Sequence, residues 1–390
     1  MVEMDRLRRC QPTGGRRRVP GIVRHFIWPG RVEGRWRMPE PGGSSHGPSP
    51  LTPAAAPAAG AGGWPSAASV RLSPPAAPGA FPDPFVVAAG DRYVAFATNG
   101  EGRNVRVRES PDLRCWQERP DALPVLPSWA TPGRTWSPAV LERNGVWVMW
   151  YATRHAATGR QAISAAVGSD PLGPYHDTGE APAVFQRDEG GSIDPSPFVD
   201  RDGTAYLVWK ADANALGRTA VLYGAPLDAS ATALAAEPVP LLRRDQRWER
   251  PLVEAPCVTR WGEKRYLLFY SGSTWESDRY AIGYAVAGHP LGPWRKETTR
   301  RPWASSSAGV SGPGGQEVFT GLDGVRYLAY HAWDAGAVGG GRGSGSGRGS
   351  GRGSGGGRGS GGRGGGGRRA LRIGRLDLGG DVPCLTPLAG

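Results

Sequence analysis

Asp83-Pro84-Phe85 is the first of five similar triplets that recur along the chain and decide its fold. The five triplets are Asp83-Pro84-Phe85, Trp136-Ser137-Pro138, Asp194-Pro195-Ser196, Glu254-Ala255-Pro256 and Gly312-Pro313-Gly314. Their first residues are 53, 58, 60 and 58 positions apart, a period that is typical of one propeller sheet rather than of a helical hairpin. In this alignment three copies place a carboxylate at the same phase, at Asp83, Asp194 and Glu254.

Each triplet is followed by three apolar runs that are separated by short connections. The second runs read YVAFAT from Tyr93, WVMWYA from Trp147, YLVWKA from Tyr206, YLLFYS from Tyr266 and YLAYHA from Tyr327. Aromatic and β-branched residues favour strands, and turns such as Asn144-Gly145 and Asp202-Gly203 favour hairpins. The sequence therefore predicts an all-β chain folded as a five-bladed β-propeller, with the first strand of each blade lining the central channel.

The basic charge of the chain lies outside the five repeats. The formal net charge is +12, of which residues 1–60 carry +6 and residues 335–369 carry +7, so the remainder is close to neutral at −1. Residues 1–75 are rich in Arg, Pro, Ala and Gly and predict a disordered tail. Residues 76–390 are predicted to form the propeller domain, with a flexible Gly/Arg/Ser-rich insert at 335–369 in blade five.

RNA binding by this insert is the functional alternative to a solvated loop. No aromatic residue that could stack on bases is interleaved among its arginines, and single-stranded nucleic acids are usually held by such stacking. We therefore expect no nucleic-acid partner.

No segment has the pattern of a membrane span or a secretory signal. The apolar runs near the N-terminus are interrupted by proline, glycine or charged residues, whereas a signal peptide has an uninterrupted apolar region and a span needs about 18 apolar residues. We expect no membrane partner and a cytoplasmic location, with secretion as the alternative if the start codon is misassigned. Cys10, Cys115, Cys257 and Cys384 form no Cys-x-x-Cys pair, which argues against a zinc site and leaves a single disulfide open.

The three carboxylates can be interpreted as turn formers or as catalytic groups. Asp-Pro and Glu-x-Pro often mark a turn or the start of a strand. First-strand positions of a propeller, however, face a narrow channel, where like charges raise one another's pKa at a cost to the fold. Three carboxylates at the same position of the repeat therefore favour a catalytic role. Asp200, Asp202 and Asp323 fall in predicted hairpin turns, where a solvated turn residue is the simplest interpretation.

These stretches resemble glycoside hydrolase family 43, a family of five-bladed propeller arabinanases, α-L-arabinofuranosidases and β-xylosidases. The matching stretches are FPDPF at 81–85, WSP at 136–138, SIDPSPF at 192–198, YLVW at 206–209, VEAP at 253–256 and YHAW at 330–333. The resemblance implies that Asp83 is the general base that activates water and Glu254 the general acid. It implies that Asp194 orients the sugar and raises the pKa of the acid. It also implies inversion, for which two carboxyl groups must leave room for a water molecule.

The resemblance also suggests which residues bind the sugar. Trp136, Phe85 and Trp275 are the candidate walls of a sugar pocket, because the C–H faces of sugars pack on aromatic rings. His331 matches a blade-five histidine of the family, which implies a substrate-binding position and a water-mediated link to a structural calcium ion. The alternative for His331 is a buried histidine that caps a strand. No cofactor is expected to be required for the reaction.

The sequence thus predicts an inverting glycoside hydrolase of terminal or short-chain arabinose- or xylose-containing oligosaccharides, with α-L-arabinofuranosidase or arabinanase as the leading activity. β-Xylosidase is the alternative within the class, and a non-catalytic carbohydrate-binding propeller is the alternative from another class. Two features depart from this prediction. Gly315 stands where many family members have a histidine after Gly-Pro-Gly, and the long insert lies in blade five, where folding over the channel mouth would restrict access of a polymer. A phosphate-dependent phosphorylase is a separate alternative, which the arginines Arg243, Arg244 and Arg247 leave open.

Overall fold

The computed structural model of the protein describes residues 70–307, 309–338 and 368–388. Within these residues, nineteen strands form five separate antiparallel sheets, four with four strands and one with three. Blade one is β1 to β4 (Phe85–Ala89, Arg92–Ala97, Arg106–Ser110, Gln117–Arg119), blade two is β5 to β7 (Ala130–Arg143, Val146–His155, Gln161–Gly168), blade three is β8 to β11 (Ser192–Val199, Ala205–Ala211, Val221–Pro226, Val239–Arg243), blade four is β12 to β15 (Val253–Trp261, Arg265–Gly272, Ala281–Ala287, Arg295–Lys296) and blade five is β16 to β19 (Val310–Thr320, Arg326–Asp334, Ala370–Asp377, Cys384–Pro387).

The predicted five-bladed propeller is confirmed. In every sheet the strands are hydrogen-bonded in chain order, and the five first strands β1, β5, β8, β12 and β16 contact one another in turn around a ring. The other regular elements among the described residues are the short 3₁₀ turns Arg187–Glu189 and Ala213–Leu216. None of the described helices is long and apolar enough to span a membrane.

The ring is closed by the segment that precedes blade one. The backbone N–H of Arg71 donates to Leu385, that of Ala76 to Leu371 and that of Phe81 to Arg369, at 2.7–2.8 Å. These hydrogen bonds attach residues 70–81 to the third and fourth strands of blade five. Blade one and blade five are therefore joined directly, as full closure of a propeller requires.

A bend with a left-handed backbone recurs at the same place in every blade. It falls at Asp83 (φ 52°), Ser137 (46°), Asp194 (56°), Ala255 (50°) and Gly315 (57°). In blades two to five the strand register shifts across this residue, as in a β-bulge. A positive φ is costly for most residues, although Asp and Asn tolerate it better than others, and such strain often occurs at functional sites.

These bends correct the alignment of the repeats. Asp83 and Asp194 both lie on the bend, but Glu254 lies one residue before it and Ala255 occupies the bend itself. The prediction that all three carboxylates share one phase is therefore wrong by one residue at Glu254. In blade five the equivalent residue is Gly315 rather than Gly312. The blades correspond to one another at the bulge and not at the proline of each triplet.

The spaces between blades are filled by large apolar side chains. Trp150 on β6 and Trp209 on β9 are fully buried and belong to one cluster between blades two and three. The Trp150 indole N–H donates to the Ala231 carbonyl oxygen at 3.0 Å, so its burial leaves no unsatisfied donor. This packing fixes the angle between blades, and with it the position of the residues on the first strands.

Several predictions lie partly or wholly outside the described residues. Residues 1–69, which hold most of the predicted tail, are outside them, as are residues 339–367 of the predicted insert and Cys10. Cys257 and Cys384 are free thiols.

Candidate active site

A pocket of about 1110 Å³ is formed where residues of all five first-strand regions converge. Its lining includes the three predicted catalytic carboxylates and the three predicted aromatic walls, namely Asp83, Asp194, Glu254, Phe85, Trp136 and Trp275. Ligand pockets in proteins usually measure about 300–1,000 Å³. The pocket is thus large enough for a short oligosaccharide.

Asp83 is placed to remain ionised. The Thr98 hydroxyl donates to its Oδ2 at 2.6 Å, and Nη1 of Arg369 lies 3.5 Å from its Oδ1. Burial alone would raise the pKa of Asp83, but the Arg369 guanidinium and the hydrogen-bonding groups of His331 and Thr98 hold it well below its usual range. A carboxylate that stays ionised near neutral pH is suited to accept a proton from water.

His331 holds the backbone of Asp83 and does not line the pocket. Its side chain is fully buried, its Nδ1 accepts the Asp83 backbone N–H at 3.0 Å, and its ring stacks on Tyr280 at 5.8 Å. Burial and the nearby Arg369 charge lower the pKa of His331. The ring packs beneath Asp83, so the structure gives no support to the predicted substrate contact of His331, and the alternative of a buried structural histidine describes its position better.

The ring nitrogens of His331 are not free to bind a calcium ion directly, and the predicted link through water stays a prediction. Nδ1 is occupied by the Asp83 N–H, and Nη1 of Arg369, which carries positive charge, lies 3.4 Å from Nε2. Calcium prefers six to eight oxygen ligands, and the part of the chain that the structure describes contains no group of three His, Cys, Asp or Glu residues arranged to hold a metal. We assign no step of the chemistry to a metal at His331.

Asp194 and Glu254 form an interacting pair of carboxyl groups. Oδ1 of Asp194 accepts the Ser137 hydroxyl and Oδ2 accepts the Ala255 backbone N–H, both at 3.0 Å. Burial and the negative charge of Glu254 raise the pKa of Asp194 to about 7. Because the second ionisation of such a pair is disfavoured, Asp194 and Glu254 together keep one proton up to about this pH.

Glu254 accepts hydrogen bonds from two buried donors. Oε1 accepts the Tyr280 hydroxyl at 2.8 Å, and Oε2 accepts the Lys210 ammonium at 3.0 Å. Lys210 is only 1% exposed and also pairs with Asp212 at 3.1 Å. The Lys210 ammonium thus pairs directly with the Glu254 carboxylate, and the group whose pKa burial and the Glu254 charge raise is Asp194.

Replacing Lys210 tests how the pair holds its proton. In the wild type we expect kcat/KM to fall as pH rises through about 7, where the pair loses its last proton, and the acidic limb to lie below about pH 4 because the pKa of Asp83 is lowered. Lys210 lowers the pKa of Asp194. The Lys210→Met variant should therefore move the alkaline limb upward by about 1–3 pH units.

The measurement is the pH profile of kcat/KM for both proteins, with thermal melting to confirm folding. Lys264→Met, at an exposed position in the turn between β12 and β13, is the matched control and should keep the wild-type profile. An unchanged or lowered alkaline limb in the Lys210→Met variant contradicts the role given to Lys210.

A fourth carboxyl group, Glu317, lies beside the pair. Oε2 of Glu317 accepts the Ser196 hydroxyl at 3.1 Å, and burial raises the pKa of Glu317 to about 8. Glu317 is therefore largely protonated at neutral pH and adds little negative charge to the pocket.

The aromatic side of the pocket is built around Trp275. This ring is 36% exposed, it stacks on Trp333 at 6.3 Å, and the Arg369 guanidinium lies 4.1 Å from its ring centroid. Trp136, on the first strand of blade two, also lines the pocket. Phe85 is only 8% exposed and belongs mainly to the core. Trp275 and Trp136 are thus better placed than Phe85 to contact a sugar.

Gly315 marks the position where this chain departs from the resembled family. A Cβ there would lie 2.6 Å from the His331 ring and 3.1 Å from Oδ1 of Asp83, so no side chain fits without displacing them. The neighbouring Gln316 donates from Nε2 to the Ala255 carbonyl oxygen at 2.7 Å and accepts the Ser271 hydroxyl at 2.8 Å. Gln316 therefore supplies the polar group on this side of the pocket.

Sequence reasoning missed Thr98, Lys210, Tyr280, Trp333 and Arg369. Lys210 gave a usable signal, because it is the one charged residue in the run YLVWKA, which otherwise reads as a buried strand. Arg369 gave none, since it ends an arginine- and glycine-rich stretch in which each arginine resembles the others. Its role follows only from the contacts with Asp83 and Trp275.

The sequence profile of glycosyl hydrolases family 43 matches residues 73–350. Among curated relatives, a β-D-galactofuranosidase of Aspergillus niger is 26% identical over 236 residues, which cover 57% of this chain and 64% of that protein. A probable arabinan endo-1,5-α-L-arabinosidase B of Aspergillus fumigatus is 25% identical over 297 residues, covering 64% of this chain and 77% of that protein. Several matches, including the first of these two, span less than two thirds of the relative's length.

The fold is also similar to solved structures. The crystal structure of a thermostable family-43 glycoside hydrolase superimposes with a TM-score of 0.67 and 27% sequence identity, covering 82% of this chain and 98% of that one.

Proposed function

The chain belongs to glycosyl hydrolases family 43, and from this membership we propose that it hydrolyses O-glycosidic bonds of arabinose- or xylose-containing oligosaccharides with inversion at the anomeric carbon. One observation carries the proposal. A single pocket holds a carboxylate that stays ionised, Asp83, together with a carboxyl pair, Asp194 and Glu254, that keeps a proton up to about pH 7. Opposite protonation states in one site are what acid–base hydrolysis of a glycoside requires.

In the proposed reaction Asp83 and Glu254 act on opposite faces of the sugar. Asp83 takes a proton from a water molecule as the water oxygen bonds to the anomeric carbon. The carboxyl proton of Glu254 passes to the glycosidic oxygen as the bond between that oxygen and the anomeric carbon breaks. The Asp194–Glu254 pair shares one proton, which lies on Glu254 in the reactive state while Asp194 is ionised. Tyr280 and Lys210 hold the Glu254 carboxyl group in place.

Arabinose is the leading candidate sugar. The Aspergillus fumigatus relative named as an arabinan endo-1,5-α-L-arabinosidase aligns over 64% of this chain, and the exposed Trp275 ring offers a flat surface for a furanose or pyranose. β-D-Xylosides are the alternative within the class. The name of the Aspergillus niger relative makes β-D-galactofuranosides a third substrate to compare.

The test is hydrolysis of aryl α-L-arabinofuranoside, aryl β-D-xyloside and aryl β-D-galactofuranoside by the wild-type protein. We expect turnover of at least one, highest for the arabinofuranoside, and NMR of the first-formed sugar should show the inverted anomer. Retention of configuration would overturn the single-displacement mechanism. If no glycoside is cleaved and Asp83→Ala and Glu254→Ala variants still bind arabino-oligosaccharides, the non-catalytic carbohydrate-binding alternative holds instead.

A further inference from the structure

A second depression, here called the basic groove, lies on blade four next to the active-site pocket. It measures about 590 Å³, and its lining includes Arg247, Trp248, Arg250 and Arg279 together with Ser273 and Asp278. The three arginine side chains are exposed. The groove is separate from the carboxylates that serve the proposed hydrolysis.

The arginines of the basic groove are not used to hold the fold together. Within residues 70–307, 309–338 and 368–388, no hydrogen bond or ion pair involves the guanidinium of Arg247, Arg250 or Arg279. Asp278 is the one acidic residue in the lining. Three unpaired positive charges against one carboxylate give the basic groove a net positive charge, although the chain outside its two arginine-rich segments is close to neutral. Such an arrangement favours an anionic ligand.

Trp248 supplies a rigid aromatic side to the basic groove. Its indole N–H donates to the Thr298 carbonyl oxygen at 2.7 Å, and its ring stacks on Tyr270 at 5.8 Å. A Cβ at Gly272 or Gly283 would come within 2.5 or 2.7 Å of the ring, so both positions must be glycine to admit it. The chain thus holds a tryptophan in a fixed orientation beside the unpaired arginines.

One connection forms a wall of both cavities. Residues 273–280 join β13 to β14, and Trp275, Glu276 and Tyr280 of this connection line the active-site pocket, whereas Ser273, Asp278 and Arg279 line the basic groove. The Ser306 hydroxyl, also at the basic groove, donates to the Asp278 carbonyl oxygen at 2.5 Å. A chain molecule that leaves the pocket over this connection would meet the basic groove directly.

We propose that the basic groove binds the carboxylate of a uronic acid unit in an oligosaccharide whose neutral part occupies the active-site pocket. Arginine guanidinium groups bind carboxylates through paired N–H donors, and an aromatic ring beside them packs on the face of a sugar. The combination distinguishes an acidic sugar from a bare inorganic anion, which needs no ring. The link to hydrolysis rests on the proposed function, but binding in the basic groove does not.

Binding is measured by isothermal titration calorimetry with tri-galacturonate and with its methyl ester, which has the same rings without charge. The titrations use the Asp83→Asn protein so that no turnover interferes. We expect the acid to bind at least about tenfold more tightly than the ester, and the combined change Arg247→Gln, Arg250→Gln and Arg279→Gln to remove that preference. The matched control changes three exposed arginines that lie outside both cavities, Arg71, Arg187 and Arg201, to Gln. This triple change removes the same amount of charge.

Three results overturn the proposal. Equal affinity for the acid and its ester, or an equal loss in the control, shows that the basic groove does not recognise the carboxylate. Inorganic phosphate that binds as tightly as tri-galacturonate at matched ionic strength, and depends on the same arginines, shows an anion site without sugar recognition. In an Asp83-containing background, hydrolysis of the neutral aryl glycosides by the triple-arginine variant should stay at the wild-type level, so failure here leaves the proposed hydrolysis intact.

Discussion

An Asp83→Asn variant is expected to hydrolyse an aryl α-L-arabinofuranoside about a thousandfold more slowly than the wild type in kcat/KM. The amide keeps the shape of the side chain and tolerates the positive φ of 52° at this position, and its oxygen can still accept the Thr98 hydroxyl. What it loses is the ability to take a proton from water, which is worth about 10²–10⁴ in rate. Steady-state kinetics together with thermal melting separate this effect from misfolding.

The control for this prediction is Asp91→Asn, at an exposed position in the turn between β1 and β2, which should retain wild-type kinetics. A second measurement uses Asp83→Ala with added azide, a small nucleophile that needs no deprotonation. Azide should restore turnover and yield the glycosyl azide with inverted configuration. Wild-type activity in the Asp83→Asn variant shows that another group acts as the base.

A Glu254→Gln variant is expected to lose about 10²–10⁴ in kcat/KM on natural oligosaccharides, whose leaving alcohol must be protonated. The loss should be much smaller for a dinitrophenyl glycoside, because its leaving group departs readily as an anion. A plot of rate against leaving-group pKa should therefore be steep for the variant and shallow for the wild type. This dependence is a specific signature of general-acid catalysis.

Glu263→Gln is the matched control for Glu254→Gln, since Glu263 is exposed in a hairpin turn of the same blade. The raised pKa of Asp194 makes an Asp194→Asn variant equally informative. If the steep dependence on leaving group appears in that variant and not in Glu254→Gln, Asp194 is the acid and Glu254 its neighbour. Equal slopes for Glu254→Gln and the wild type contradict the proposed role of Glu254.

The blades could be predicted from sequence because their signal is local. Five runs of aromatic and β-branched residues follow tight turns, such as YLLFYS from Tyr266. Such runs favour strands. The short outer strands Gln117–Arg119 and Arg295–Lys296 carry no such signal, since they are only partly buried and their pairing depends on the strand beside them. Their presence follows from the sheet and not from their residues.

The convergence of the three carboxylates on one pocket could be predicted from sequence, but the geometry of the pocket could not. Asp83, Asp194 and Glu254 do line one pocket, yet the offset of Glu254 depends on a bulge that the apolar pattern does not reveal, because φ at Ala255 is positive without a glycine to mark it. The contact of His331 with Asp83 and the pairing of Lys210 with Glu254 each join residues from different blades. Such contacts follow from the closed ring of blades and not from spacing along the chain.

The left-handed bend recurs in all five blades as a backbone conformation, whereas the side chain at the bend differs between blades. The bend carries a carboxyl group at Asp83 and Asp194, a hydroxyl at Ser137, a methyl group at Ala255 and no side chain at Gly315. The same backbone bend therefore presents different chemistry in different blades, although Gly315 has no room for a side chain. In evolutionary terms, new specificities can arise by substitution of the residue at a bend that has room for a side chain, while the ring of blades is retained.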